Sequence, residues 1–165
     1  MTKIIIRAIP DKRVEYVEYL ERFIPDAVMC YDQTRNAMDT FLSGMRMAEG
    51  LPAVHMEDDV ILTKGFREKL EAAIEEKPDT LIQFFSMRKK DHTEGSRLDR
   101  SFTMNQCHYH PAGYSEAIAD FYDIWPGKEE HPTGYDLLIR DWLKSRREPY
   151  WIHCPNLVDH RVCKS

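Results

Sequence analysis

Residues Ala53 to Leu62 place three adjacent carboxylates, Glu57, Asp58 and Asp59, inside a run that otherwise reads as a buried strand (Ala53-Val54-His55-Met56 before them, Val60-Ile61-Leu62 after). An unpaired carboxylate in a core is costly unless a proton or a cation neutralises it. The acids therefore belong at the exposed end of the strand, beside something positive. Clustered hard oxygen ligands suit Mg²⁺ or Mn²⁺, commonly shared with a substrate phosphate. The plainer alternative is a solvated turn whose acids favour the N-terminus of the following helix.

The surrounding pattern supplies elements to hold these acids. Lys3 to Ala8 reads as a first strand and Ile9-Pro10-Asp11 as a turn. Val14, Val17, Leu20 and Ile24 then recur at helical spacing. Ala27 to Tyr31 is a second strand ending at Asp32. Thr34 is the expected cap of a helix with Ala37, Met38, Phe41, Leu42 and Met45 on its apolar face. Three strand-helix alternations imply an α/β fold, a mostly parallel central sheet flanked by helices. In such sheets ligands bind outside the carboxyl ends of the strands, which is where Ile9-Pro10, Asp32 and the acid triplet fall.

Further on, Leu81 to Phe85 reads as a strand and Ser86 to Arg100 as a mobile polar loop. Phe102 to His108 is a candidate strand, and Tyr114 to Trp125 and Tyr135 to Ser145 are candidate helices. Tyr150 to His153 is the expected last strand. The basic run Arg88-Lys89-Lys90, with Arg97 and Arg100, is either a solvated loop or a contact for a polyanionic acceptor.

The 165 residues are expected to form one domain spanning 1–165. With 42% apolar and 31% charged residues, the composition is that of a globular protein. The net charge of −5 argues against a dedicated DNA or membrane binder. The first apolar run, Ile4-Ile5-Ile6, is too short for a signal peptide, and no segment is long enough to span a membrane. A cytoplasmic protein with reduced thiols is expected. Cys30, Cys107, Cys154 and Cys163 form no CxxC pair; a zinc site from Cys154, His160 and Cys163, completed by Cys107 or His108, is the minor alternative. There is no GxGxxG or P-loop pattern, so a bound phosphate would need a metal to offset its charge.

The segment from His55 to Phe66, with the acid triplet and then Gly65-Phe66 opening a helix, resembles small bacterial and phage glycosyltransferases of the GT-A fold, in an acid-acid-acid version of their DxD motif. The tail Pro155-Asn156-Leu157-Val158-Asp159-His160 resembles the close of several such members. The resemblance implies a nucleoside-diphosphate sugar donor, most often a UDP-sugar, and a bridging Mn²⁺ or Mg²⁺. Asp59 would ligate the ion directly, with His160 from the far side of the crevice. Glu57 or Asp58 would reach the ribose or a metal-bound water, with Glu57 and Asp59 sharing a face if the strand continues. Arg7, Ala8, Ile9 and Pro10 would carry the base and ribose, with Asp32 and Arg35 nearby. Asp136, at a helix start, would be the catalytic base of an inverting enzyme, with Asp141 as the alternative. His108 to Tyr114 resembles the segment that faces sugar and acceptor.

The acceptor implied is a glycan or a hydroxylated base in phage DNA. A modified base would call on aromatic surface from Trp125, Tyr109 and Tyr114. The competing functions are a metal-dependent nuclease or phosphohydrolase, since carboxylate clusters also serve phosphoester cleavage, and a non-catalytic nucleotide-sugar binding module.

Overall fold

A computed structural model of the chain describes residues 2–161. Among the described residues nine strands and six α-helices follow in the order β1 (Lys3–Ala8), α1 (Val14–Phe23), β2 (Val28–Tyr31), α2 (Ala37–Arg46), β3 (Ala53–Glu57), β4 (Val60–Leu62), α3 (Phe66–Glu76) and β5 (Ile82–Gln83). Then come α4 (Lys89–Glu94), β6 (Arg97–Asp99), β7 (Cys107–His110), α5 (Tyr114–Phe121), α6 (Tyr135–Arg146), β8 (Tyr150–Ile152) and β9 (Val158–His160). A seven-stranded sheet takes the order β2-β1-β3-β7-β5-β8-β6, and β4 and β9 form a separate two-stranded ribbon. Strands β1, β2, β3, β5 and β8 run one way; β6 and β7 run the other. The expected mostly parallel sheet between helices is therefore the observed fold.

Alternation along the strands divides the core. Ile4 and Ile6 of β1 and Val54 and Met56 of β3 pack with Leu20 of α1 and Leu70 and Ala73 of α3. On the opposite face, Phe41 and Met45 of α2, Ile118 of α5 and Leu138, Ile139 and Trp142 of α6 form a second cluster. Arg7 and Glu57 are register partners, in phase with Ile5 and His55 rather than with the Ile4–Ile6 face. Gly44 leaves room for this: a Cβ there would lie 3.4 Å from Arg7 Cγ.

Three local expectations need correction. The α2 cap is Asn36, whose Oδ1 accepts from the N–H groups of Met38 and Asp39; Thr34 is two residues too early. Tyr150–Ile152 is not the last strand, because β9 follows and pairs with β4. The strand expected from Phe102 begins only at Cys107.

The polar stretch from Ser86 to Arg100 is not a featureless loop. It holds α4 and the edge strand β6, organised around Asp91, which is fully buried. Asp91 accepts hydrogen bonds from Ser86 Oγ at 2.5 Å, Arg88 Nε at 2.7 Å and Arg97 at 2.6 Å. These partners hold its carboxyl below the usual range against the opposing effect of burial. Arg88 and Arg97 are thus engaged within this segment and are not displayed as a pair for an acceptor. Asp91→Ala would leave two guanidinium groups without their central anion. Both keep some solvent access, so we expect a loss of about 2 to 3 kcal/mol, measurable by urea denaturation.

Of the zinc alternative, Cys163 lies outside the described residues. Cys107 is buried, and Cys154 donates its S–H to Asp91 O at 3.4 Å. Trp125 and Tyr109 are buried in the two core clusters, so neither offers an aromatic surface. Among the described residues, no helix is long and apolar enough to cross a membrane.

Candidate functional site

A cleft of about 160 Å³ opens at the carboxyl ends of β1, β2 and β3. Its walls are Arg7, Ala8, Ile9, Arg13, Asp32, Ala37, Thr40, Glu57, Asp58, Asp59 and Tyr135. Six of the residues anticipated for nucleotide binding, Arg7, Ala8, Ile9, Asp32, Glu57 and Asp58, are therefore brought together, with Asp59 beside them. Pro10 is not; it lines a separate groove with Val14, Val17 and Tyr31. Arg35 is exposed, in a left-handed conformation (φ 57°), and its N–H donates to Asp32 Oδ1 at 2.8 Å. With the Thr34 N–H at 3.2 Å, this makes the Asp32 segment an Asx-type turn.

The acid triplet divides into two roles. Strand β3 ends at Glu57, and Asp58 and Asp59 form a tight turn into β4. Asp58 is buried and braces the first loop: Oδ2 accepts from Ile9 N–H at 2.9 Å and Oδ1 from Arg13 at 2.5 Å. Burial raises its carboxyl, opposed by those two donors.

Glu57 and Asp59 instead converge with His160 on β9, each offering a ligand atom within 4.8 Å of the other two. His160 Nε2 lies 3.1 Å from Asp59 Oδ2. Delivery of His160 follows from the ribbon: Val60 pairs with His160, and Arg161 N–H donates to Asp59 O at 2.7 Å. Arg161 also stacks on Tyr16 and Tyr19 of α1, which ties the tail to the first helix.

Glu57 is held from the opposite side. Tyr135 O–H donates to its Oε1 at 3.2 Å, and Arg7 lies 3.5 Å from the same oxygen. Arg7 itself lies against the rings of Phe41 and Tyr135, which stack on each other, and it donates to Asn105 just ahead of β7. Burial raises the Glu57 carboxyl, with Arg7 opposing it, while burial and the nearby Glu57 push Tyr135 up to about 12.

Three features bear on whether a cation fits here. Asp59 Oδ1 is buried with no partner among the described residues. Four carboxylates, Asp32, Glu57, Asp58 and Asp59, line the cleft against two guanidinium groups, Arg7 and Arg13. The donor set, two carboxylates and an imidazole, is one that divalent ions take. A divalent ion fits these residues, and its charge offsets the excess of acids.

Asp136 sits in the first turn of α6, where its carboxylate accepts from Leu137 N–H at 3.0 Å. It is not among the cleft walls; its neighbour Tyr135 is. Asp141 accepts from Trp125 Nε1 and Arg140. The segment from His108 to Tyr114 must be corrected. Strand β7 runs antiparallel, with Cys107 opposite Met56 and His110 opposite Ala53, so it leaves the acid end and its turn lies at the far end of the sheet. Gly113 N–H there donates to Gly50 O, remote from the triplet.

Sequence reasoning missed Arg13, Thr40 and Tyr135. No motif or spacing in the sequence marks Arg13. For Tyr135 the available sign is an aromatic at a helix start that faces a strand end.

No family model matches the chain, and no curated protein matches its sequence. Solved structures do. The crystal structure of A197 from STIV superposes with a TM-score of 0.58 at 12% identity, over 98% of this chain and 86% of that one. That likeness shows a shared fold. Weaker superpositions are found with CMP:2-keto-3-deoxy-manno-octonic acid synthetase complexed with CTP (TM-score 0.46, 11% identity, 92% of this chain and 88% of that one). A glycosyltransferase involved in the glycosylation of the major capsid of PBCV-1 gives a TM-score of 0.49 at 11% identity, over 99% of this chain and 95% of that one.

Proposed function

We propose that this chain is a metal-dependent glycosyltransferase of the GT-A type, a single catalytic domain that moves a sugar from a nucleoside-diphosphate donor to an acceptor hydroxyl. The observation that carries the reading is the convergence of Glu57, Asp59 and His160 at the edge of an acid-lined cleft. An anionic donor would be repelled by that cleft on its own; a divalent ion removes the objection and binds both. The resemblance of His55–Phe66 and of the Pro155–His160 tail to GT-A enzymes supports the same assignment.

Glu57, Asp59 and His160 would hold the ion. Mn²⁺ suits the set better than Mg²⁺, because an imidazole is a softer donor than the oxygens Mg²⁺ prefers. When bound, the ion supplies charge stabilisation for the departing diphosphate. Arg7 and Tyr135 fix Glu57 through one oxygen. Ala8 and Ile9 form an apolar wall against which a base or ribose can rest, and Asp32 offers an acceptor for a base N–H. Asp136 is the proposed base for the acceptor hydroxyl, and would have to reach the cleft past Tyr135 when substrate is bound. The described residues provide a single cluster of ligands rather than two, which favours glycosyl transfer over two-ion phosphoester cleavage.

Isothermal titration with UDP, CDP, GDP and ADP, each with and without Mn²⁺, tests the reading. We expect one of them to bind only when Mn²⁺ is present. Failure of all four in the presence of Mn²⁺ would remove the basis for a nucleotide-sugar enzyme.

A further inference from the structure

The cleft contains a resident cation as well as candidate ligands for a soluble one. Arg13, the residue immediately before α1, points its guanidinium at the acid turn: one nitrogen lies 2.5 Å from Asp58 Oδ1 and 3.2 Å from Asp59 Oδ2. Its side chain keeps about a quarter of its surface exposed. Asp59 Oδ2 is therefore shared between Arg13 and His160. That carboxylate belongs to the proposed ligand set.

We propose that Arg13 is an internal counter-ion that competes with the divalent ion for Asp59 and is released to the donor's diphosphate, so that metal and nucleotide bind as a linked pair. The inference rests on the reading above that the cleft takes a divalent ion with a nucleoside diphosphate. Its physical basis is simple. A dication on Asp59 and a guanidinium on the same carboxylate repel each other. Alone, the ion must weaken an existing ion pair in order to bind. A diphosphate arriving with the ion gives the planar guanidinium fork a partner with two oxygens to accept from it. Each ligand then relieves the cost that the other would meet, which is positive coupling between the two binding events.

Arg13 is well placed for such a transfer. It stands at the end of the turn Ile9–Lys12, whose Ile9 N–H is held by Asp58 Oδ2 independently of the guanidinium. The loop therefore keeps its anchor when the side chain moves. Asp58 also retains that donor, so it is not stripped of partners.

The consequence has opposite signs in two titrations, which an ordinary binding residue would not produce. Arg13→Gln keeps a hydrogen-bond donor for Asp58 and removes the charge. Mn²⁺ alone should bind this variant roughly tenfold more tightly than wild type. The nucleoside diphosphate that binds wild type best should bind the Mn²⁺-saturated variant roughly tenfold more weakly. Arg13→Lys keeps the charge and loses the fork. Its affinity for Mn²⁺ alone should stay within about threefold of wild type, with an intermediate loss for the nucleotide. Melting temperatures of the metal-free proteins show that both variants are folded. Equal or weaker binding of Mn²⁺ alone by Arg13→Gln overturns the proposal, and so does undiminished nucleotide affinity; in either case the function proposed above stands so long as wild type binds Mn²⁺ and nucleotide together. If wild type binds no nucleotide with Mn²⁺, that function fails and the linkage is overturned with it.

Discussion

Asp59→Asn should lower Mn²⁺ affinity by more than about a hundredfold, beyond what is typical when only a supporting partner of a ligand is removed. The reason lies in the division of labour within the triplet. Asp58 is committed to Ile9 and Arg13, so it cannot substitute without dismantling the first loop. Glu57 shares one oxygen with Tyr135 and Arg7. Asp59 is the member with a buried oxygen that has no partner among the described residues, and its other oxygen faces His160 and Arg13. An asparagine keeps the shape and an acceptor for Arg13 but loses the charge that a divalent ion requires. Folding should survive, because the substitution also removes a buried charge whose hydrogen bonding is incomplete. Two measurements read this together. Mn²⁺ should raise the melting temperature of wild type by mass action and leave that of Asp59→Asn unchanged. Titration calorimetry should show the corresponding loss of binding heat. An Asp59→Asn protein that still binds Mn²⁺ normally would place the ion away from Glu57, Asp59 and His160.

The parts of this site that could be read in the sequence are those set by local pattern. Lys3–Ala8, Val28–Tyr31 and Ala53–Glu57 announce themselves through short, mostly apolar runs, and the rule that ligands sit at the carboxyl ends of parallel strands then puts Ile9, Asp32 and the acid triplet in one place. What could not be read depends on partners distant in the chain. His160 is implied only by the resemblance of the Pro155–His160 tail; its approach to Asp59 spans 101 residues, through a ribbon of two three-residue strands too short to show a period. Asp91 turned an apparently mobile stretch into a helix and an edge strand because Arg88 and Arg97 both reach it; composition showed only mixed charge. The direction of β7 was equally hidden. Its sequence, Cys-His-Tyr-His, suits either orientation, and the antiparallel choice moved the His108–Tyr114 segment from one end of the sheet to the other. Tyr135 is equally hard to read: the acid next to it, Asp136, carries the more conspicuous chemistry, while the side chain that touches Glu57 is a phenol.

That same strand leads to the second large effect, a steep loss of stability in mild acid. His55, His108 and His110 are fully buried, with ring centroids 4.6 to 5.6 Å apart. They form a layer behind Arg7. Ser115 Oγ bridges two of them, at 2.8 Å from His55 Nε2 and 3.1 Å from His110 Nδ1, and Phe102 stands edge-on to His108. Desolvation and the Arg7 charge disfavour protonation of all three, and neighbouring imidazoles add to this at His55 and His108. His55 and His108 lie well below the ordinary histidine range, and His110 is lowered to about 3. The sign follows directly. The unfolded chain takes up protons near the ordinary value of about 6.5 while the folded chain does not, so the stabilisation is complete above that pH and drains away below it. Each such group contributes a slope approaching about 1.4 kcal/mol per pH unit, so three together remove about 4 kcal/mol between pH 7.5 and 5.5. That is a large share of the roughly 5 to 15 kcal/mol that holds a typical domain together. Glu57 and Asp58, whose carboxyls are raised by burial, gain protons in the folded state and damp the loss toward the acid end. Urea titrations across this range measure the slope. His108→Phe, which removes one titrating ring next to Phe102, should reduce it by about a third; a slope that is flat in wild type, or unchanged in His108→Phe, would mean that protons reach these rings in the folded protein.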